Sequence, residues 1–132
     1  MPVYHVVTTE NTVPAAQKAA LAAEITRLHA SITGAPTSFV HVTFAELPEG
    51  SVFTDAAPSR PLLIEATTRA GHADAEKTRL AREISAAGSR LTGVPESHIL
   101  VIIKDSPARF AAEGGRILPE PGDEGDWIAE SG

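Results

Sequence analysis

The sequence predicts an α+β protein: two tandem β-α-β units that form one four-stranded sheet with two helices on one face. Three observations carry this. The chain repeats itself, each copy passes from strand-like to helix-like patterning and back, and Gly and Pro punctuate both copies at the same places. Displaced by 59 residues, PVYHVVTTE falls on PLLIEATTR, AQKAALAAEIT on AEKTRLAREIS, and SITGAPTSFVHV on RLTGVPESHILV. The register holds without a gap from Pro2/Pro61 to Val42/Val101. Matched pairs include Thr8/Thr67, Leu21/Leu80, Ile25/Ile84, Gly34/Gly93 and Pro36/Pro95. An ungapped match of this length, turn residues included, reads as a duplicated supersecondary unit.

Within the first unit (residues 2–45), Pro2–Thr8 is apolar and β-branched and reads as a strand. Roughly Pro14–Ile32 is Ala-rich, and Leu21, Ile25, Leu28 and Ile32 make one apolar stripe at helical spacing. Pro14 suits a first helical turn, Gly34 a left-handed cap, and Pro36 blocks continuation. Phe39–Ala45 is the second strand. Residues 46–60, rich in Pro, Gly and Ser, read as a linker. The second unit (residues 61–104) repeats the pattern with Leu62–Thr67, roughly Asp74–Leu91 and Ile99–Lys104. The tail (105–132) is expected to hold a turn or short helix near Pro107–Ala112 and a short strand at Arg116–Leu118. Beyond these it should wrap a neighbouring chain through Trp127, and its Gly and Pro clusters argue against a long element.

Right-handed crossovers make the strands of each unit parallel and put both helices on one sheet face. The other face needs a cover that the chain does not supply, which predicts an oligomer.

A chain of 132 residues with 42% hydrophobic residues is a single domain with a real core. The net charge of −6 argues against nucleic acid as a partner. It leaves room for a small anionic ligand held by one or two arginines. With no cysteine, disulfides, thiolate metal sites and a Cys nucleophile are excluded. No metal-ligand spacing links His5, His41 and His98. No signal-peptide pattern or membrane-length apolar run opens the chain, so a soluble cytoplasmic protein is expected.

The start, MPVYHVV, leaves two readings open. Pro2 is an ordinary edge-strand proline behind a retained Met1, or it becomes a terminal secondary amine once Met1 is removed. A free α-amino group titrates at about 7.7–8.0, and burial or a nearby cation lowers that toward neutrality, where it serves as a base. Pro61 has its nitrogen in a peptide bond, so one unit alone can use this chemistry.

The duplicated unit, the early proline, and the stretches PVYHVV, ITRLHASITG, PEGSVF, TRAGHAD and EGGRILPEPGDEGDW resemble the tautomerase superfamily. The likeness covers nearly the whole chain and is nearest to the cis-3-chloroacrylic acid dehalogenase-like group. It implies a homotrimer without membrane or nucleic-acid partners and a reaction needing neither cofactor nor metal. The implied catalytic residues are Pro2 as general base and Glu113, which activates water in such enzymes. Substrate-binding roles fall on Arg69, for a carboxylate, and His29, as an oxygen donor.

Two positions depart from the dehalogenase pattern. His72 stands where a second arginine is expected, and Ile102 where a tyrosine is. Each missing charge-assisted donor removes on the order of 2–4 kcal/mol of transition-state stabilisation. Hydration of a haloacrylate should suffer from this more than enol–keto tautomerisation does. The implied activity is thus a tautomerase for small 2-enol or 2-keto acids, with weak hydratase or dehalogenase activity as promiscuity and His72 as a substrate-binding position. Read on their own, Arg69, His29 and Glu113 are equally an exposed loop cation, a structural helix histidine and a solvated carboxylate. The alternative is a trimeric carboxylate-binding or structural protein that retains Met1.

Overall fold

The computed structural model describes residues 1–131. Strand β1 (Val3–Thr9) leads to helix α1 (Ala15–Thr33) and strand β2 (His41–Leu47). The hairpin β3 (Phe53–Thr54) and β4 (Ala57–Pro58) follows. Strand β5 (Leu62–Arg69), helix α2 (Asp74–Thr92) and strand β6 (Ile99–Ser106) repeat the unit. A second hairpin, β7 (Ala112–Glu113) and β8 (Arg116–Ile117), and helix α3 (Glu124–Ser131) complete the chain.

The main sheet has the order β2-β1-β5-β6. β1 and β2 are parallel, as are β5 and β6, and β1 meets β5 antiparallel. The units are thus related by a local twofold through the β1–β5 ladder. Exchanging them by the 59-residue offset turns the pair Val6–Ile64 into Glu65–His5, another pair of that ladder.

The predicted stripes form the core. Leu21, Ile25 and Leu28 of α1 and Leu80, Ile84 and Ala87 of α2 bury against Tyr4, Val6, Leu62, Ile64 and Ala66. Each buried Leu or Ile contributes about 1.5–3 kcal/mol. Gly34 and Gly93, both at φ 79°, end the helices, their N–H groups bonding Ala30 O and Ser89 O at 2.9 Å. On the other sheet face Val3, Val7, Leu63 and Ile102 are half-buried and Leu100 is exposed, so the described residues leave an apolar surface open.

The structural repeat outruns the sequence repeat. Phe53–Thr54 and Ala57–Pro58 stand at the 59-residue offset from Ala112–Glu113 and Arg116–Ile117. Their closing bonds match as well, Ser59 N to Val52 O and Leu118 N to Ala111 O, both 2.9 Å. The segment read as a linker is therefore a hairpin equivalent to the one carrying Glu113.

Two expectations for the tail change. Helix α3 forms where no helix was read. Glu124 and Asp126 in its first turn favour the positive helix end, and Trp127 anchors it. Trp127 also packs on its own chain: its ring meets Phe39 edge-on at 5.3 Å and its Nε1–H bonds Ile117 O at 2.8 Å.

Candidate active site

One end of the sheet gathers the residues singled out in the sequence. Pro2 is buried at the start of β1, and its carbonyl accepts the N–H of His41 at 3.1 Å. The terminal amine, here on Met1, lies 3.7 Å from Glu113 Oε2. Burial lowers its pKa most; Glu113 pulls it back up and Arg69 adds to the lowering.

Arg69 ends β5 with its side chain 1% exposed. Its guanidinium stacks on Phe39 at 5.3 Å and donates to Pro119 O at 2.8 Å and to Glu124 Oε1 at 2.7 Å. The other Glu124 oxygen accepts Gly122 N–H at 2.9 Å. Burial alone would raise the Glu124 carboxyl, but the bonds from Arg69 and the backbone outweigh it and hold the group below its usual range. This partner of Arg69 had no counterpart in the sequence reading. It neutralises a buried cation that would otherwise be costly. Arg69 Nε is left buried and without a hydrogen-bond partner among the described residues.

His29 is buried on α1, its Nδ1 2.8 Å from the buried Tyr4 hydroxyl. A phenol has one proton to give, so Tyr4 donating to Nδ1 leaves Nε2–H as the histidine's free donor. Burial, then the electrostatic influence of His72, Arg69 and the terminal amine, pushes the His29 pKa down to about 3. At neutral pH it is an uncharged donor. His72, just past β5, has a side chain 4% exposed with Nδ1 3.3 Å from Glu76 Oε2. Its Nε2 is buried and has no hydrogen-bond partner among the described residues.

Glu113 lies on β7 before the Gly114–Gly115 turn, where φ is 61° and 79°. Its Oε1 is 2.5 Å from His41 Nε2. Sequence reasoning passed over His41 because it looked only for metal spacing. The available signal was the repeat, in which His41 faces an apolar twin, Leu100. Arg116, a possible partner of Glu113 by proximity in sequence, instead stacks on Trp127 at 4.2 Å and pairs with Glu130. Ile102 lies in the middle of β6 opposite Glu65, on the open sheet face and outside this cluster.

The structure thus brings Pro2, His29, Arg69, His72 and Glu113 to one place: an amine, a carboxylate, a neutral donor and two buried nitrogens without partners. Among the described residues no cluster of His, Asp and Glu side chains could hold a metal ion. None of their helices is long and apolar enough to cross a membrane.

The chain matches the family model Tautomerase_3, described as "Putative oxalocrotonate tautomerase enzyme", over residues 1–131. It belongs to the Tautomerase_3 family. Among solved structures, this Tautomerase_3 chain is similar to N1, a member of the cis-3-chloroacrylic acid dehalogenase family. They share 30% identity over 96% of this chain and 90% of that one, with a TM-score of 0.93. It is similar to Pt0534 inactivated by 2-oxo-3-pentynoate, with 25% identity over 88% and 94% of the two chains and a TM-score of 0.81. A fused 4-OT solved as an asymmetric trimer shares 25% identity over 87% and 94%, with a TM-score of 0.80. No curated protein matches the chain.

Proposed function

We propose that the protein is a cofactor-independent tautomerase acting on small 2-enol or 2-keto carboxylic acids, with Pro2 as general base after loss of Met1. The observation that carries this is the convergence of the chain terminus, whose amine in this structure is that of Met1 ahead of Pro2, with Glu113, Arg69, His29 and His72 at one end of the sheet. In this reading the prolyl nitrogen takes the enol proton and returns it to carbon. Arg69, whose Nε has no partner among the described residues, seats the substrate carboxylate, with His72 beside it. His29 donates to the substrate oxygen, and Glu113 steadies the charged amine. Weak hydration of cis-3-haloacrylates accompanies this activity as promiscuity. The assembly is a homotrimer whose copies cover the open sheet face; the similar fused 4-OT structure is itself a trimer.

One observation favours the second reading, a carboxylate-binding or structural trimer that keeps Met1. Arg69 already holds a carboxylate, that of Glu124. Intact-mass spectrometry separates the two readings. Loss of Met1, ketonisation of an arylenolpyruvate, and labelling of Pro2 by 2-oxo-3-pentynoate are the expected results. A mass that includes Met1, with no turnover and no labelling, supports the second reading instead.

A further inference from the structure

We propose that His41 is a positioning residue that holds Glu113 against the terminal amine. This rests on the reading of Pro2 as the base. Three observations carry it. First, Glu113 divides its two oxygens: Oε1 meets His41 Nε2 at 2.5 Å, while Oε2 faces the terminal amine, here that of Met1, at 3.7 Å. Second, Glu113 cannot hold itself there. It sits on a two-residue strand beside a Gly–Gly turn. His41, by contrast, opens β2, is paired with Val3, and is bonded through its own N–H to Pro2 O. The histidine therefore ties the carboxylate to the same backbone that carries the amine. Third, the twin positions of His41 and Glu113 in the other unit are Leu100 and Thr54, beside Pro61, whose nitrogen has no proton to exchange. The His–Glu pair occurs at the one end of the sheet where a free amine can stand.

The charged and titratable groups facing the amine are Glu113 from β7, Arg69 from the end of β5 and His29 from α1. Of these the carboxylate alone favours the protonated amine. When the amine accepts a proton, an anchored Glu113 meets the new charge without first having to be reoriented.

The test is a titration of the isotope-labelled terminal nitrogen by NMR, on wild type, His41→Leu, His41→Gln, Glu113→Gln and the Leu/Gln double variant. It is read on whichever residue the intact mass shows to be first. Glu113→Gln should lower the amine's midpoint, and His41→Leu should lower it by about half a unit or more. The double variant should fall no further than Glu113→Gln. His41→Gln, which keeps an N–H donor, should stay near wild type. In turnover, His41→Leu should lower kcat and leave KM unchanged. The proposal is overturned if His41→Leu keeps the wild-type midpoint, or if Glu113→Gln does. Because the titration needs no turnover, a protein without tautomerase activity would overturn the function reading while leaving this result legible.

Discussion

The two ends of the sheet are built from the same fold and have opposite characters. At one end stand Pro2, His29, His41, Arg69, His72 and Glu113; their twins at the other are Pro61, Gly88, Leu100, Glu10, Val13 and Thr54. At each position where the first end holds a charge or a donor, the second has lost it, reversed it or filled its place with carbon. Gly88 shows how the space is used. A Cβ there would meet Ile99 Cδ1 at 3.4 Å and Leu62 Cδ1 at 3.7 Å, so the room given to His29 in one unit is core in the other. The cover differs too. Helix α3 follows the second unit alone, and with Trp127 and Glu124 it closes the Pro2 end. Among the described residues the Pro61 end has no such cap, and it opens as a cleft of about 920 Å³ lined by Pro61, Leu63, Leu100 and Thr54. This cleft lies at the end of the sheet opposite Pro2. The scaffold supplies the position, and individual side chains decide whether it can react.

The largest effect expected from breaking this asymmetry is on activity. With Met1 shown to be absent, Pro2→Ala exchanges the secondary amine for a flexible primary one and should reduce tautomerisation without abolishing it, while Pro61→Ala leaves it within about twofold. Steady-state rates on an arylenolpyruvate check both.

The next effect is on stability. Arg69→Met strands the Glu124 carboxylate and should cost about 3 kcal/mol in urea unfolding. Adding Glu124→Gln should recover part of that loss. At the twin position Glu10→Ala should change stability by less than about 0.5 kcal/mol, because its carboxylate bonds an exposed backbone N–H.

Acid should expose His29. The folded side chain stays neutral down to about pH 3, whereas an unfolded histidine takes its proton near 6.5. Its contribution is complete above about pH 6.5 and falls by roughly 1.4 kcal/mol per unit as the pH drops toward the folded value. Urea unfolding across this range should show that slope in wild type and a shallower one in His29→Gln. A curve unchanged by the substitution would mean that His29 is protonated in the fold.

The smallest effect lies in the first hairpin. Asp55 and Ala56 sit at φ 51° and 61°, where the twin hairpin has two glycines. Ala56→Gly should relieve the left-handed strain and stabilise the fold by about 0.5–1 kcal/mol after the added flexibility of glycine is counted. A thermal melt that moves down would contradict this.

That hairpin also marks where the sequence stopped being readable. Strands and helices were legible because their burial repeats at every turn, and Gly34 and Gly93 fixed the helix ends. From residue 46 onward the copies keep the fold through hydrogen bonds that any side chain allows. Asp55–Ala56 carries no turn signal of the kind that Gly114–Gly115 does, so equivalent hairpins read as a linker and a tail. At the candidate site, Pro2, Arg69, His29, His72 and Glu113 were singled out through the repeat and the resemblance. The contacts that organise them were not: Arg69 with Glu124 is 55 residues apart, and His41 with Glu113 is 72. No local pattern encodes pairs at such distances. Helix α3 was missed because its support is the packing of one tryptophan, and the Gly and Pro around it pointed the other way.

The peptide bond between Arg60 and Pro61 has a chemical consequence. Cut the chain there, let the β1–β5 ladder reassemble the halves, and Pro61 becomes a terminal secondary amine at an uncapped cleft. Such a protein would carry two prolyl amines in one scaffold. The new one would have Glu10 in the place of the guanidinium and Gly88 in the place of the imidazole. A co-expressed pair of fragments, titrated and assayed against the intact chain, would measure what a prolyl amine does with a carboxylate where the other end has Arg69. On this view chain continuity acts as a protecting group, keeping the second site chemically silent for as long as the two halves stay fused.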